Sequence, residues 1–466
     1  MSNWKTVTYP EPELEPVVPF GVQVYAERIE RLRFHMERHG FATLAVYADR
    51  ERFANMAFLT GYEPRFEEAL LLVSQSSTLL LVGNEGYGYA QSVAILPGLE
   101  LGLCPTFSLY GQPRDLTDKG KSLTNWLMHF GIGPDGPVGV VGAKVFSEEE
   151  FAAAHEMTDV PVFVVRPIKE LVGHPIRNAS DLLIHPSTGL RAGGEMTSAH
   201  DIAAFDYAAE KSYSGVRNLL ANLNEGMSEE QAASLLGFSG FPPLAYHLAL
   251  GFGERHANAG LGSPDPLTEL KIGDPVTFGF GLWGANVART GFGVHSESEL
   301  PLDAKGYIDE LAEPYFRCLK DWYEALSIGT AGGAVQSKVS WFTDDPRYAV
   351  GLNPGHLLHL DEWPATPFYK NSEDKLNSGM FIQCDIIPAP GAPLYGIHTE
   401  DGVVLADARL RSSLKKEFPR VYARIERRRA LVASLGINLA EEVLPLSSMQ
   451  ACVQPFLLDA GRVICG

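Results

Sequence analysis

Between residues 43 and 165 the chain carries five short apolar runs, Thr43–Tyr47, Ala69–Ser74, Thr78–Val82, Gly139–Val141 and Val160–Val165, separated by turn residues and stretches of helical spacing. Runs of this length and composition read as buried strands. Strands that alternate with helical segments bury both kinds of apolar surface as a sheet covered by helices. The first 170 or so residues are therefore constrained to a mixed α/β domain. A helix precedes the first strand: Tyr25, Ile29, Leu32, Phe34 and Met36 recur at roughly helical spacing with charges between them, and Gly40 is placed to stop it.

The flanking segments set the expected domain plan. Residues 1–20 hold Pro10, Pro12, Pro16 and Pro19 and read as an extended arm. Residues 21–170 form the α/β domain. Residues 171–197, with Gly173, Pro175, Pro186, Gly189, Gly193 and Gly194, read as a linker. Ser198 then caps a helix, with Asp201 placed as its capping-box partner, and Ile202, Phe205, Ala208, Ala209 and Tyr213 give that helix an apolar face. Ser228 caps a second helix whose first turn is acidic. From 274 to 407 the chain turns to strands, in the runs Val276–Leu282, Phe381–Ile387 and Gly402–Ala406. A helix from Leu414 to about Leu435 carries Arg424, Arg427, Arg428 and Arg429, read as a solvated face. A second domain thus covers 198–435, and 436–466 is a C-terminal extension.

Composition narrows the function classes. With 466 residues, 45% hydrophobic and 20% charged, the chain has the make-up of a globular protein that buries its own core. Its 38 Lys+Arg against 57 Asp+Glu give a formal charge of −19, which argues against nucleic-acid or anionic-membrane partners. Five cysteines, none at CxxC spacing, fit a reducing cytoplasm better than a disulfide framework. No signal peptide is visible at the N-terminus, and no apolar stretch is long enough to span a membrane.

The polar residues of the second half follow a recognisable order: Gly273-Asp274, then Asn286 ahead of Arg289-Thr290, Pro354-Gly355-His356, Gly379-Met380 leading to Asp385, and Gly396-Ile397-His398-Thr399-Glu400-Asp401. In the first half Leu59-Thr60-Gly61-Tyr62 is followed by Glu68-Ala69-Leu70-Leu71. From about 20 to 435 this resembles the creatinase/aminopeptidase P/prolidase superfamily. The resemblance implies a creatinase-type N-terminal α/β domain followed by a pita-bread C-terminal domain.

Carried over residue by residue, the resemblance implies a departure from the metal-dependent members. Their five ligands run Asp, Asp, His, Glu, Glu, and the matching positions here are Gly279, Asn286, His356, Asp385 and Glu400. Glycine offers no side-chain oxygen and asparagine only a neutral one, so too little charge is left to hold two divalent ions. A degenerate site without metal is the expectation. The alternative is a single divalent ion on His356, Asp385 and Glu400, with His359 or His398 added. The family's two further histidines match Gly262 and Trp363, and His256 is the nearest substitute for the first.

The expected activity is that of a metal-independent, creatinase-like hydrolase or lyase. It would act on a C–N bond of a small carboxylate-bearing metabolite. His356, Asp385, Glu400, His398 and His256 are the candidates for acid–base catalysis. His398 and Glu400, two apart on a strand, point to one face. Arg65, Arg289, Phe280, Trp283 and His359 are the candidates for substrate binding, with Glu254 and Glu362 nearby. Phe280 and Trp283 would form an apolar wall. In the family, Arg65 would reach a neighbour's pocket in a homodimer, and Arg289 would brace carboxylates. A single-metal peptidase-like hydrolase and a non-catalytic binding protein are the other two readings.

Overall fold

The first helix, Val22–His39, buries Tyr25, Ile29, Leu32 and Met36 on one stripe and ends on Gly40 at φ 70°, a left-handed conformation that favours glycine. Phe34 lies off that stripe and stays exposed. The computed structural model describes residues 4–64, 66–113, 122–254 and 262–466. They divide into two compact units, Pro19–Met196 and Met1–Val18 with Thr197–Gly466.

Strand β1 (Trp4–Thr6) belongs to the second unit. The first unit is built on a six-stranded sheet of β2 (Thr43–Ala48), β3 (Ala69–Ser74), β4 (Thr78–Val82), β5 (Leu99–Leu103), β6 (Val138–Val141) and β7 (Arg177–Asn178), in the order β5-β4-β3-β2-β6-β7. β2–β3 and β3–β4 pair antiparallel, while β4–β5, β2–β6 and β6–β7 pair parallel. The run Val160–Val165, expected as a strand, instead enters the helix Val162–Val172. Its β-branched residues favour strand, but Val164, Ile168 and Val172 recur at helical spacing and are buried, and that burial outweighs local propensity.

The second unit holds β8 (Ala249–Phe252), β9 (Pro275–Leu282), β10 (Ala285–Phe292), β11 (His356–Leu357), β12 (Phe381–Cys384), β13 (His398–Leu405), β14 (Val443–Pro445) and β15 (Arg462–Ile464). Seven of them form one antiparallel sheet, β11-β12-β13-β10-β9-β8 with β14 on β13, and β1 pairs with β15. The helix Ala199–Asn222 packs against β9 and β10. It starts at the capping box Ser198–Asp201, a feature that contributes about 1 kcal/mol. Gly215 lets it come close, because a Cβ there would press on the Phe280 ring. A second capping box, Ser228–Gln231, opens Glu229–Ser234.

The arginine cluster is a solvated face only in part: Arg427 is exposed and Arg429 half-buried. Arg424 and Arg428, on the helix Pro419–Ser434, are buried. Arg428 Nη2 donates to Glu210 Oε1 at 2.8 Å and Nη1 to Asp206 Oδ1 at 2.5 Å, while Arg424 Nε donates to Asp206 Oδ2 at 3.1 Å. Both acids lie on the Ala199–Asn222 helix, one turn apart, where the like-facing arginines meet them. No described helix is long and apolar enough to cross a membrane.

Candidate active site

The site is written into the register of three strands. Across β9, β10 and β13, Gly279 faces Ala288, which faces Glu400, and Thr277 faces Thr290, which faces His398. Alternate residues share a face, so Asn286, Ala288, Thr290, His398 and Glu400 look to one side of the sheet. β12 runs straight into Asp385, and β11, paired to β12, presents His356. The loop after β11 supplies Glu362 and Trp363. A cavity of about 410 Å³ opens on this face; its lining includes Tyr246, Glu362, Trp363, Asp385, His398 and Glu400.

His356 is fully buried, and its Nδ1 donates to the Leu357 carbonyl at 2.8 Å, which turns Nε2 toward the carboxylates. Nε2 lies 3.6 Å from Glu400 Oε1 and 3.7 Å from Asp385 Oδ2. Neither His356 Nε2 nor Glu400 Oε1 makes a hydrogen bond. Trp363 stacks on the imidazole, with ring centroids 4.1 Å apart. His398 Nε2 bonds Asp385 Oδ1 at 2.9 Å and lies 3.9 Å from Glu400 Oε2. Asn286 Nδ2 donates to Glu362 Oε1 at 2.9 Å, and the Tyr246 hydroxyl donates to Asn286 Oδ1 at 2.9 Å.

Three carboxyls crowded together with little exposure cannot all ionise at the usual pH. Burial, then the charge of Glu400, pushes Glu362 up to about 8, although His356 and the Asn286 hydrogen bond work the other way. Burial and the neighbouring Asp385 raise Glu400 as well. Burial also acts upward on Asp385, but its hydrogen bond to His398 and the two imidazoles hold it below its ordinary value.

These groups overturn the expected metal-free site. His356, Glu362 and Glu400 form one set of ligand atoms, and Asp385, His398 and Glu400 form another, the atoms of each set lying within 4.8 Å of one another. The two unbonded atoms of His356 and Glu400 point at each other across a gap too long for a hydrogen bond, which is how two ligands of one ion stand. The set present fits a divalent ion through mixed imidazole and carboxylate donors. The creatinase-like, pseudo-metallopeptidase reading rested on Gly279 and Asn286; it fails because Glu362 and His398 bring donors that the carried-over list did not include.

Of the expected catalytic residues, His356, Asp385, His398 and Glu400 come together, while His256 lies outside the described residues. Of the expected substrate-binding set, the described members do not line the cavity. Arg65 lies outside the described residues. Arg289 does not line the cavity: it sits on the opposite face of β10, where it is fully buried and donates through Nη2 to Asp401 Oδ2 at 3.0 Å and through Nε to Gln454 Oε1 at 2.9 Å. Phe280, between Gly279 and Gly281, lies on that same face and packs near Gly215 of the Ala199–Asn222 helix. His359 packs edge-on against Phe205 of that helix, at 5.1 Å between centroids. Trp283, in the β9–β10 turn, is absent from the cavity lining. Tyr246 was missed, and Glu362 was named without a role. The signal for Tyr246 was the pair Gly279 and Gly281: glycine twice on one strand face marks something lying close over it.

No family model and no curated protein matches the sequence. Solved structures do. An Xaa-Pro dipeptidase from Bacillus anthracis superposes with a TM-score of 0.59 at 16% identity, over 83% of this chain and 96% of that one. The prolidase from Pyrococcus horikoshii gives 0.61 at 16% identity, over 82% and 95%. Dipeptidase PepE from Mycobacterium ulcerans gives 0.62 at 16% identity, over 83% and 94%. At such identities the likeness establishes the fold: an α/β chain whose curled antiparallel sheet has the pita-bread architecture.

Proposed function

We propose that this protein is a metal-dependent hydrolase that cleaves a C–N bond in a small, peptide-like substrate. The observation that carries the reading is the pair of unbonded, buried atoms, His356 Nε2 and Glu400 Oε1, 3.6 Å apart beside Glu362. His356, Glu362 and Glu400 would hold one divalent ion, two carboxylates balancing its charge. Such an ion supplies Lewis acidity toward a carbonyl oxygen and lowers the pKa of water.

The second set, Asp385, His398 and Glu400, is already closed by the 2.9 Å bond between His398 and Asp385. We assign that pair to proton handling: Asp385 fixes the His398 ring, and the ring, at the cavity wall, serves the departing nitrogen. Trp363, Ile387 and Ile397 give the cavity an apolar side against which the substrate would lie. A cavity of about 410 Å³ suits a dipeptide-sized molecule. The dipeptidase and prolidase activities named for the structural neighbours support the peptide-like class. A homodimer completed by Arg65, and a cytoplasmic setting, rest on the sequence alone; sedimentation as a monomer at micromolar concentration counts against the former.

The test is a panel of dipeptides and small amides, assayed with the protein as purified, after chelation, and after return of Mn²⁺, Co²⁺ or Zn²⁺. The reading predicts turnover that chelation removes and an ion restores. Turnover indifferent to chelation contradicts it.

A further inference from the structure

Beyond Thr277 the cavity-facing side of β9 is bare, with Gly279 and Gly281 at its next two positions. The ring of Tyr246, from the loop before β8, lies across both. A Cβ at 279 would collide with the Tyr246 hydroxyl, and one at 281 with the ring. The two glycines are therefore the sequence's way of admitting a tyrosine, and that tyrosine ends in the site. Its hydroxyl donates to Asn286 Oδ1 at 2.9 Å, and Asn286 Nδ2 donates to Glu362 Oε1 at 2.9 Å. The Asn286 backbone is fixed in turn by Gln383 Nε2, which donates to its carbonyl at 2.8 Å.

An amide has two ends, and the partners of one decide which atom faces the other. A phenol that donates takes the amide oxygen. The amide N–H₂ is then left facing Glu362, where it holds one carboxylate oxygen. If the amide were reversed, its oxygen would face the carboxylate and push it away. Outer partners of this kind orient metal-ligating carboxylates, and their loss typically costs about 10–100-fold in ion affinity.

We infer that Tyr246 is a positioning residue for the ion: seated over Gly279 and Gly281, it orients Asn286 so that Glu362 is held toward His356 and Glu400. The inference rests on the proposed metal-dependent reading and adds the means by which a loop carboxylate becomes a ligand. The hydrogen bonds carry the effect of Tyr246 through Asn286 to Glu362, so the effect should be lost when Glu362 can no longer ligate.

The experiment is a double-mutant cycle on the full chain, with Co²⁺ as probe, read by calorimetric affinity and by the visible absorption of the bound ion. Tyr246→Phe keeps the ring and removes the hydroxyl. It is expected to weaken Co²⁺ binding by about tenfold and to change the spectrum as Glu362→Gln does, with the ion-free melting temperature unchanged. The double variant is expected to bind no more weakly than Glu362→Gln alone. Asn286→Leu, which cuts the same chain at its middle, is expected to behave as Tyr246→Phe does and serves if the latter folds poorly. Wild-type affinity and spectrum in these variants, or losses that multiply in the double variant, would overturn the inference. Failure of the wild-type chain to bind Co²⁺ at all would instead bring down the metal reading, and the inference with it.

Discussion

His356 Nε2 and Glu400 Oε1 face each other at 3.6 Å, both buried and neither hydrogen-bonded. An unsatisfied buried polar atom typically costs about 1–3 kcal/mol, and two aimed at one point are explained together by a shared ligand. His356→Ala should therefore remove the ion and abolish turnover while the fold persists, since the imidazole's hydrogen bond goes to the carbonyl of its own neighbour Leu357 and ties no other element. Ion content and circular dichroism check the two halves of that outcome.

The pH dependence follows from the same crowding. In the ion-free protein the Glu362 carboxyl titrates at about 8 against an ordinary 4.5. A carboxyl whose folded value is raised keeps its proton in the folded state while the unfolded chain has lost it. Its stabilising contribution is full below about 4.5 and is lost as pH rises toward 8. Glu400 shifts the same way. Ion-free protein should melt at lower temperature at pH 8.5 than at pH 5.5, all else being equal, and a divalent ion should raise the melting temperature more at the higher pH, because binding displaces those protons. Thermal melts with and without chelator at the two pH values test this.

Placing an acid on β9 should not create a second ion site. Gly279→Asp places a Cβ against the Tyr246 hydroxyl. With Tyr246 in place the variant should bind an ion more weakly than wild type, and it should lose stability by roughly 1–3 kcal/mol from overpacking. Calorimetric ion titration beside a urea melt separates the two effects.

The buried network of Arg424 and Arg428 with Asp206 and Glu210 ties two helices together. Arg428→Ala leaves Glu210 without its arginine, while Asp206 keeps Arg424, and should destabilise the protein by about 3 kcal/mol. Paired apolar replacement of Arg428 and Glu210 should recover part of that loss. Denaturant unfolding of both variants measures it.

Much of this was readable from local rules. Spacing and caps placed the Val22–His39 helix, and the Ser198 and Ser228 starts follow from side chains within three residues. His356, Asp385 and Glu400 came from the order of the motifs. The remainder depended on what lies across space. Period two along β10 would have sent Arg289 away from Ala288 and Thr290, and the same rule on β9 would have turned Phe280 away from Gly279. Glu362 and Tyr246 reach the site from loops, where no period constrains direction, and their partnership with Asn286 joins residues 40 and 76 positions apart. The arginine cluster reads as solvated by composition, and its members Arg424 and Arg428 are buried because Asp206 and Glu210 face them.

The account turns on one divalent ion held by His356, Glu362 and Glu400. The most direct test is the ion count per chain after purification without chelator and gel filtration, repeated on Glu400→Gln. The account predicts one ion per wild-type chain and loss of it in the folded variant. A wild-type chain that neither retains nor takes up an ion, or a folded Glu400→Gln protein that binds it as tightly as before, would contradict the account.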